Sequence, residues 1–100
     1  MIFHIATQHD WDLRAHQDDY VPSAFSAERF IHLSTDSQVP GVLQRCYKGR
    51  EDLLLLTVDE TKLAGELKYE PATGGELFPH LFGPLNKSAI VKIEPIEKVR

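Results

Sequence analysis

Leu53 to Leu56, continuing through Thr57 to Val58, is an unbroken apolar run of strand length. Both faces of such a strand need cover, so the pattern predicts the central strand of a sheet, ended by Asp59. Ahead of it, Val39, Val42, Leu43, Cys46 and Tyr47 recur at i, i+3, i+4, i+7 and i+8, the stripe of an amphipathic helix with Cys46 on its core side. Asp36 or Ser37 can cap this helix, Pro40 fits its first turn, and Gly49 closes it.

The flanking pattern is shorter in period. Ile2 to Thr7 reads as an opening strand with Phe3 and Ile5 on one face and His4 on the other, turned from its apolar neighbours. Asp10 offers an N-cap for a helix running to about Gln17, with Trp11 and Ala15 on one face. Ser23 can cap a helical turn over Ala24 to Glu28, and a strand at Phe30 to Ser34 then places His32 and Ser34 on one face, the face His4 is expected to reach. Beyond the central strand come a helical turn at Asp59 to Leu63, a strand at Leu67 to Glu70 stopped by Pro71, and a flexible tip at Thr73-Gly74-Gly75. Leu77 to Pro84 carries too many prolines for a central strand and reads as an edge strand or packed loop. A final strand spans Ile90 to Val99, bent at Pro95. The order β, α, β, α, β, β, β lacks regular βαβ alternation, which predicts an α+β fold: a small mixed, largely antiparallel sheet with two main helices, and Trp11, Leu43 and Leu55 in the core.

One hundred residues, 42% of them apolar, suffice for a single domain, residues 1–100, with a real core. The one cysteine excludes an internal disulfide and any cysteine-rich zinc site; it fits a reducing compartment, so the cytoplasm is the expected location. The N-terminal stretch does not read as a signal peptide, and no apolar run approaches the ~20 residues of a membrane span. A net charge of −4 disfavours general nucleic-acid binding.

Chemistry is expected where polar residues stand at strand positions that a small core normally fills with apolar ones: His4, His32, Ser34 and Glu70, joined by His80 within an apolar segment. The three histidines have no metal-ligand spacing, so no metal is expected. Ser34 lacks a nucleophile elbow, Cys46 is expected buried and inert, and Thr73-Gly74-Gly75 is no phosphate loop. Arg45, Lys48 and Arg50 form a basic spot that reads first as charges complementing a helix C-terminus and only second as a phosphate site.

Tyr20, Phe30-Ile31-His32-Leu33-Ser34-Thr35 with Gln38, Gly49-x-x-Asp52-Leu53-x-Leu55, Tyr69-Glu70 and Phe78-Pro79-His80-Leu81-Phe82-Gly83-Pro84-Leu85 together resemble the family of the domain of unknown function 952 over nearly the whole chain. Two positions depart from its pattern: Arg29 stands where the family usually has glycine before Phe30, and Asp19 where it often has glycine before Tyr20. The resemblance implies a core similar to the ADP-ribosyltransferase-like fold, whose members bind NAD in a cleft between two small sheets. It implies His4 for the first-strand position, Ser34-Thr35 for the ribose contacts and Glu70 for the catalytic carboxylate, with Glu76 as its competitor; the E-x-E or Q-x-E element of such enzymes is absent. The expected function is a pocket protein for NAD or a related nucleotide or phosphorylated metabolite, with His4, Tyr20, His32, Ser34, Thr35 and His80 on the ligand. Glu70 and His32 would serve any ADP-ribosyltransferase-like transfer. The rival expectation is a non-catalytic module that binds a ligand or protein through an aromatic and histidine surface around Tyr20, Phe78 and Phe82.

Overall fold

The computed structural model describes residues 1–72 and 74–100, so Thr73 of the expected tip lies outside the described residues. The chain forms β1 (Ile2–Thr7), α1 (Gln8–Asp12), β2 (Asp19–Tyr20), α2 (Phe25–Glu28), β3 (Ile31–His32), α3 (Val39–Cys46), β4 (Leu53–Val58), β5 (Glu66–Pro71), β6 (Leu77–Phe82), β7 (Leu85–Asn86) and β8 (Ile90–Pro95), with short 3-10 turns before α3, β5 and β8. The α+β class holds, but the expected single mixed sheet is three antiparallel ones: β1-β4-β8, β3-β6-β5 and a β2-β7 ribbon. In place of two main helices there are three short ones, of 5, 4 and 8 residues.

The Leu53–Val58 run is central, as its apolar pattern requires. Leu54, Leu56 and Val58 face the main core, with Ile2 and Ala6 from β1, Ile31, Leu33 and Leu81 from the second sheet, and Tyr20, Leu85 and Ala89 closing it. Leu53 faces the other way, into a smaller core of Ile5 and Val99 against which Val42, Leu43, Tyr47 and Leu55 pack. Trp11, Leu43 and Leu55, expected core, are thus packed at its margin and only half-buried. Cys46, expected buried, is exposed: the short α3 meets the sheet through Val42, Leu43 and Tyr47, and the thiol falls outside that contact.

Several boundaries differ from expectation for identifiable reasons. The first helix starts and ends early, because the Thr7 hydroxyl at the end of β1 accepts the Asp10 N–H and caps it, leaving the Asp10 carboxylate for other partners. Thr35, rather than Asp36 or Ser37, caps the turn entering α3, in a reciprocal capping box with Gln38. Pro79 lies in the central strand of its sheet, contrary to the edge reading of Leu77–Pro84. Its carbonyl accepts from the Leu33 N–H at 3.0 Å, and its missing N–H falls where the short β3 ladder has ended, so a single rung is lost. β8 stops at Pro95, and the Ile96 N–H returns to the Leu53 carbonyl. No described helix is long and apolar enough to cross a membrane.

The feature that positions the site is the junction of β1 with β3. Phe3 and Ser34 exchange both backbone hydrogen bonds, each 2.8 Å, in an isolated bridge that joins the two three-stranded sheets edge to edge. An antiparallel ladder would next pair Ile5 with His32. Instead His4 Nδ1 donates to the His32 carbonyl at 2.7 Å, and the imidazole takes the place of the rung. Beyond it the strands part.

Candidate functional site

Two clefts open around this junction. The first, of about 410 Å³, lies in the gap between β1 and β3; its walls include His4, Ile5, Asp10, Tyr20, Glu28 and His32. The second, of about 610 Å³, lies between α3 and the second sheet, walled by Ser34, His80, Phe78 and Arg45. Glu28, Phe30, His32 and Tyr47 line both, so the clefts adjoin at His32. Both volumes fall in the range of about 300–1,000 Å³ typical of small-molecule sites.

Strand alternation explains which side chain reaches which cleft. Ile31, Leu33 and Leu81 point into the core, so His32, Ser34 and His80 point to the opposite face. His32 and His80 are direct cross-strand partners, with ring centroids 5.3 Å apart. Phe30, two residues from His32 on the same face, stacks on His80 at 4.1 Å and meets His32 edge-on at 4.8 Å. His4, by contrast, shares the core face of β1 with Ile2 and Ala6. The expectation that His4 reaches the His32–Ser34 face is therefore corrected: His4 is buried against Tyr20, 5.7 Å between rings, and meets His32 only at its backbone carbonyl through the gap. It is also corrected from facing away from apolar neighbours, since its own face is the core face.

Each histidine is fixed by a different partner. The carbonyl bonded to His4 puts its proton on Nδ1. Burial pushes the His4 pKa down from 6.5, only partly offset by that hydrogen bond, so the ring is held neutral. His80 Nδ1 donates to Glu70 at 2.9 Å, leaving Nε2 as its other ring nitrogen. His32 Nε2 pairs with Glu28, one helical turn earlier, on the exposed side.

The other expected residues are distributed as follows. Glu70 is bound to His80 and lines neither cleft, whereas Glu76 accepts from Gln38 Nε2 at 3.1 Å and helps tie the α3 entry to β6. Thr35 serves as a cap and lines neither cleft. Tyr20 is buried against the first cleft, so its ring adds nothing to the aromatic surface expected around Tyr20, Phe78 and Phe82. Its hydroxyl donates to Asp10 at 3.1 Å; burial, then the Asp10 charge, lifts its pKa above the ordinary tyrosine range. Among the described residues no group of three or more histidine, cysteine or acidic side chains could hold a metal.

Three residues expected only in local roles, Asp10 as a cap, Glu28 in a helical turn and Arg45 in the basic spot, line the clefts. Asp10 accepts from Arg14, from Tyr20 and from both the N–H and hydroxyl of Ser23, and so ties Pro22-Ser23 over the first cleft. Burial alone would raise its pKa, but the Ser23, Tyr20 and Arg14 contacts together hold it below 3.8. Glu28 stands four residues before His32, but the left-handed Arg29 ends α2 between them and turns the chain into β3, so no helical spacing signalled the pair. Arg45 lines the second cleft and makes no ion pair among the described residues.

Residues 5–93 match the model of a family described as a protein of unknown function, DUF952. The crystal structure of protein CC0527 from Caulobacter crescentus is similar with a TM-score of 0.87 and 31% identity, over 96% of this chain and 85% of that one. The solution NMR structure of CC0527 gives 0.82 at 31% identity, over 96% and 84%. Among curated proteins the chain has no match.

Proposed function

The chain belongs to the DUF952 family, and from that premise we propose that it binds NAD or a related nucleotide in the gap where its two sheets part. The observation that supports this most is the His4 wedge. Phe3 points its N–H and C=O toward β3, so alternation aims those of Ile5 the same way, and the His4 ring has displaced the rung that would have paired them. A backbone donor and acceptor side by side on a cleft wall complement a primary carboxamide, which offers an acceptor oxygen and donor N–H groups in the same plane. Nicotinamide carries that group. Phe30 and Tyr47 supply flat apolar surface at the junction for a ring or ribose. A cleft between two small sheets is also what resemblance to the ADP-ribosyltransferase-like fold leads one to expect.

Transfer chemistry at the nicotinamide bond would need a carboxylate beside the ribose. Glu28, which lines both clefts, is better placed for that than Glu70, which lines neither.

Calorimetric titration with NAD and with nicotinamide alone tests the reading. Wild type binds both, and NAD at a hundredfold excess over Kd stabilises the fold by about 2.7 kcal/mol. His32→Ala weakens NAD while leaving the unliganded melt nearly unchanged. Absence of heat and of any thermal shift with NAD or nicotinamide at millimolar concentration overturns it. Glu28→Gln that retains binding but loses nicotinamide release assigns the transfer role to Glu28.

A further inference from the structure

The second cleft contains polar atoms that the fold itself does not use. Ser34 is 6% exposed, and its hydroxyl has no hydrogen-bond partner among the described residues, although its backbone is fully engaged with Phe3. His80 is 7% exposed; Glu70 takes Nδ1, and Nε2 has no partner among the described residues. Every fully buried side-chain nitrogen and oxygen that the structure describes is hydrogen-bonded. The Ser34 hydroxyl and His80 Nε2 therefore keep contact with solvent, and both residues line the second cleft. Arg45 stands on the same cleft from α3, without an ion pair among the described residues. In a wall this enclosed, water is the partner that a ligand's polar atoms would replace.

From this we propose that the second cleft binds the phosphate oxygens of the ligand, with Ser34 Oγ and the Arg45 guanidinium as its donors, while His80 Nε2, left as the acceptor nitrogen by the Nδ1–Glu70 bond, stands beside them for a ligand hydroxyl. The proposal rests on the nucleotide reading above and adds where the ligand's anionic arm goes. The two clefts differ in charge in the required sense: Asp10 lines the first, Arg45 the second, and the one carboxylate they share, Glu28, is already paired with His32. A ligand with a carboxamide end at Ile5 and a phosphate arm beyond His32 matches both.

The test titrates wild type, Ser34→Ala and Arg45→Gln with inorganic pyrophosphate, ADP and nicotinamide as separate probes. Neither substitution touches the core: Ser34 contributes to the sheet junction through its backbone, and Arg45 is exposed. Wild type binds pyrophosphate and ADP. Each substitution weakens both by about tenfold or more, the scale of one hydrogen bond to a charged group, and leaves nicotinamide affinity unchanged. Pyrophosphate and ADP that bind all three proteins equally, or that do not bind wild type, overturn the phosphate site. Loss of nicotinamide binding with ADP retained would instead overturn the carboxamide reading and leave the phosphate site standing.

Discussion

On one face of the β3-β6-β5 sheet, Ile31, Leu33 and Leu81 are at most 2% exposed and pack into the main core; on the other, His32, Ser34 and His80 of the same strands line a cleft. The backbone is identical for both faces. Only alternation and residue type separate them, and the two faces respond to different perturbations. The core face depends on volume, since its side chains satisfy one another by contact. The cleft face depends on partners: His80 on Glu70 and Phe30, His32 on Glu28, and Ser34 on nothing the fold supplies.

The comparison breaks most visibly at Leu81. Leu81→Ala removes a fully buried side chain and should destabilise the fold by about 2–5 kcal/mol in denaturant melts. A loss under about 1 kcal/mol would mean that the core face is not close-packed there.

Acid should act next, in two windows. The His4 pKa is lowered, so the unfolded chain binds its proton first, and stability is lost as pH falls from about 6.5 toward the folded value. The Asp10 pKa is also lowered, so its contribution is present above the ordinary 3.8 and is lost as pH falls through its folded value. Melting curves over pH 3–7 should show both limbs. His4→Gln should flatten only the upper limb, and Asp10→Asn only the lower. An upper limb that persists in His4→Gln would move the proton uptake to another group.

A smaller effect of opposite sign is expected at Arg29. It ends α2 with φ at 69°, a left-handed conformation that costs a side chain about 1–2 kcal/mol and glycine almost nothing. Arg29→Gly should stabilise the protein by about 0.5–1 kcal/mol after the extra flexibility of glycine in the unfolded chain is allowed for. A destabilised Arg29→Gly would show that the arginine side chain contributes more than its backbone costs. The left-handed backbone gives a physical reason for the glycine that the resemblance led one to expect at this position.

His32→Ala should change least, by under about 1 kcal/mol, because the side chain is 60% exposed and its Glu28 pair is a surface contact. A loss matching that of Leu81→Ala would turn the histidine into a core strut and erase the contrast between the faces.

The parts of this arrangement that depend on periodicity were legible in the sequence. The β4 run, the α3 stripe and the placement of His32 with Ser34 follow from apolar spacing alone. What was not legible depends on contacts between distant residues. The parting of β1 from β3 is set by a hydrogen bond between His4 and a carbonyl 28 residues away. The central place of β6 tolerates Pro79 because β3 is two residues long and its ladder ends at that rung. Cys46 shows the limit of periodicity: it lies on the apolar stripe, yet the short α3 meets the sheet through Val42, Leu43 and Tyr47 and leaves it exposed. Asp10 was read as a cap, a local role, whereas its partners Tyr20 and Ser23 come from the next loop.

The central claim is that the gap opened by His4 is a ligand site rather than a packing defect. A crystal soaked with NAD tests it most directly. The account predicts ordered density between β1 and β3, with the carboxamide on the Ile5 backbone and the chain of the ligand passing His32 toward Ser34. An empty gap at saturating NAD, or density confined to the outer surface, would contradict it.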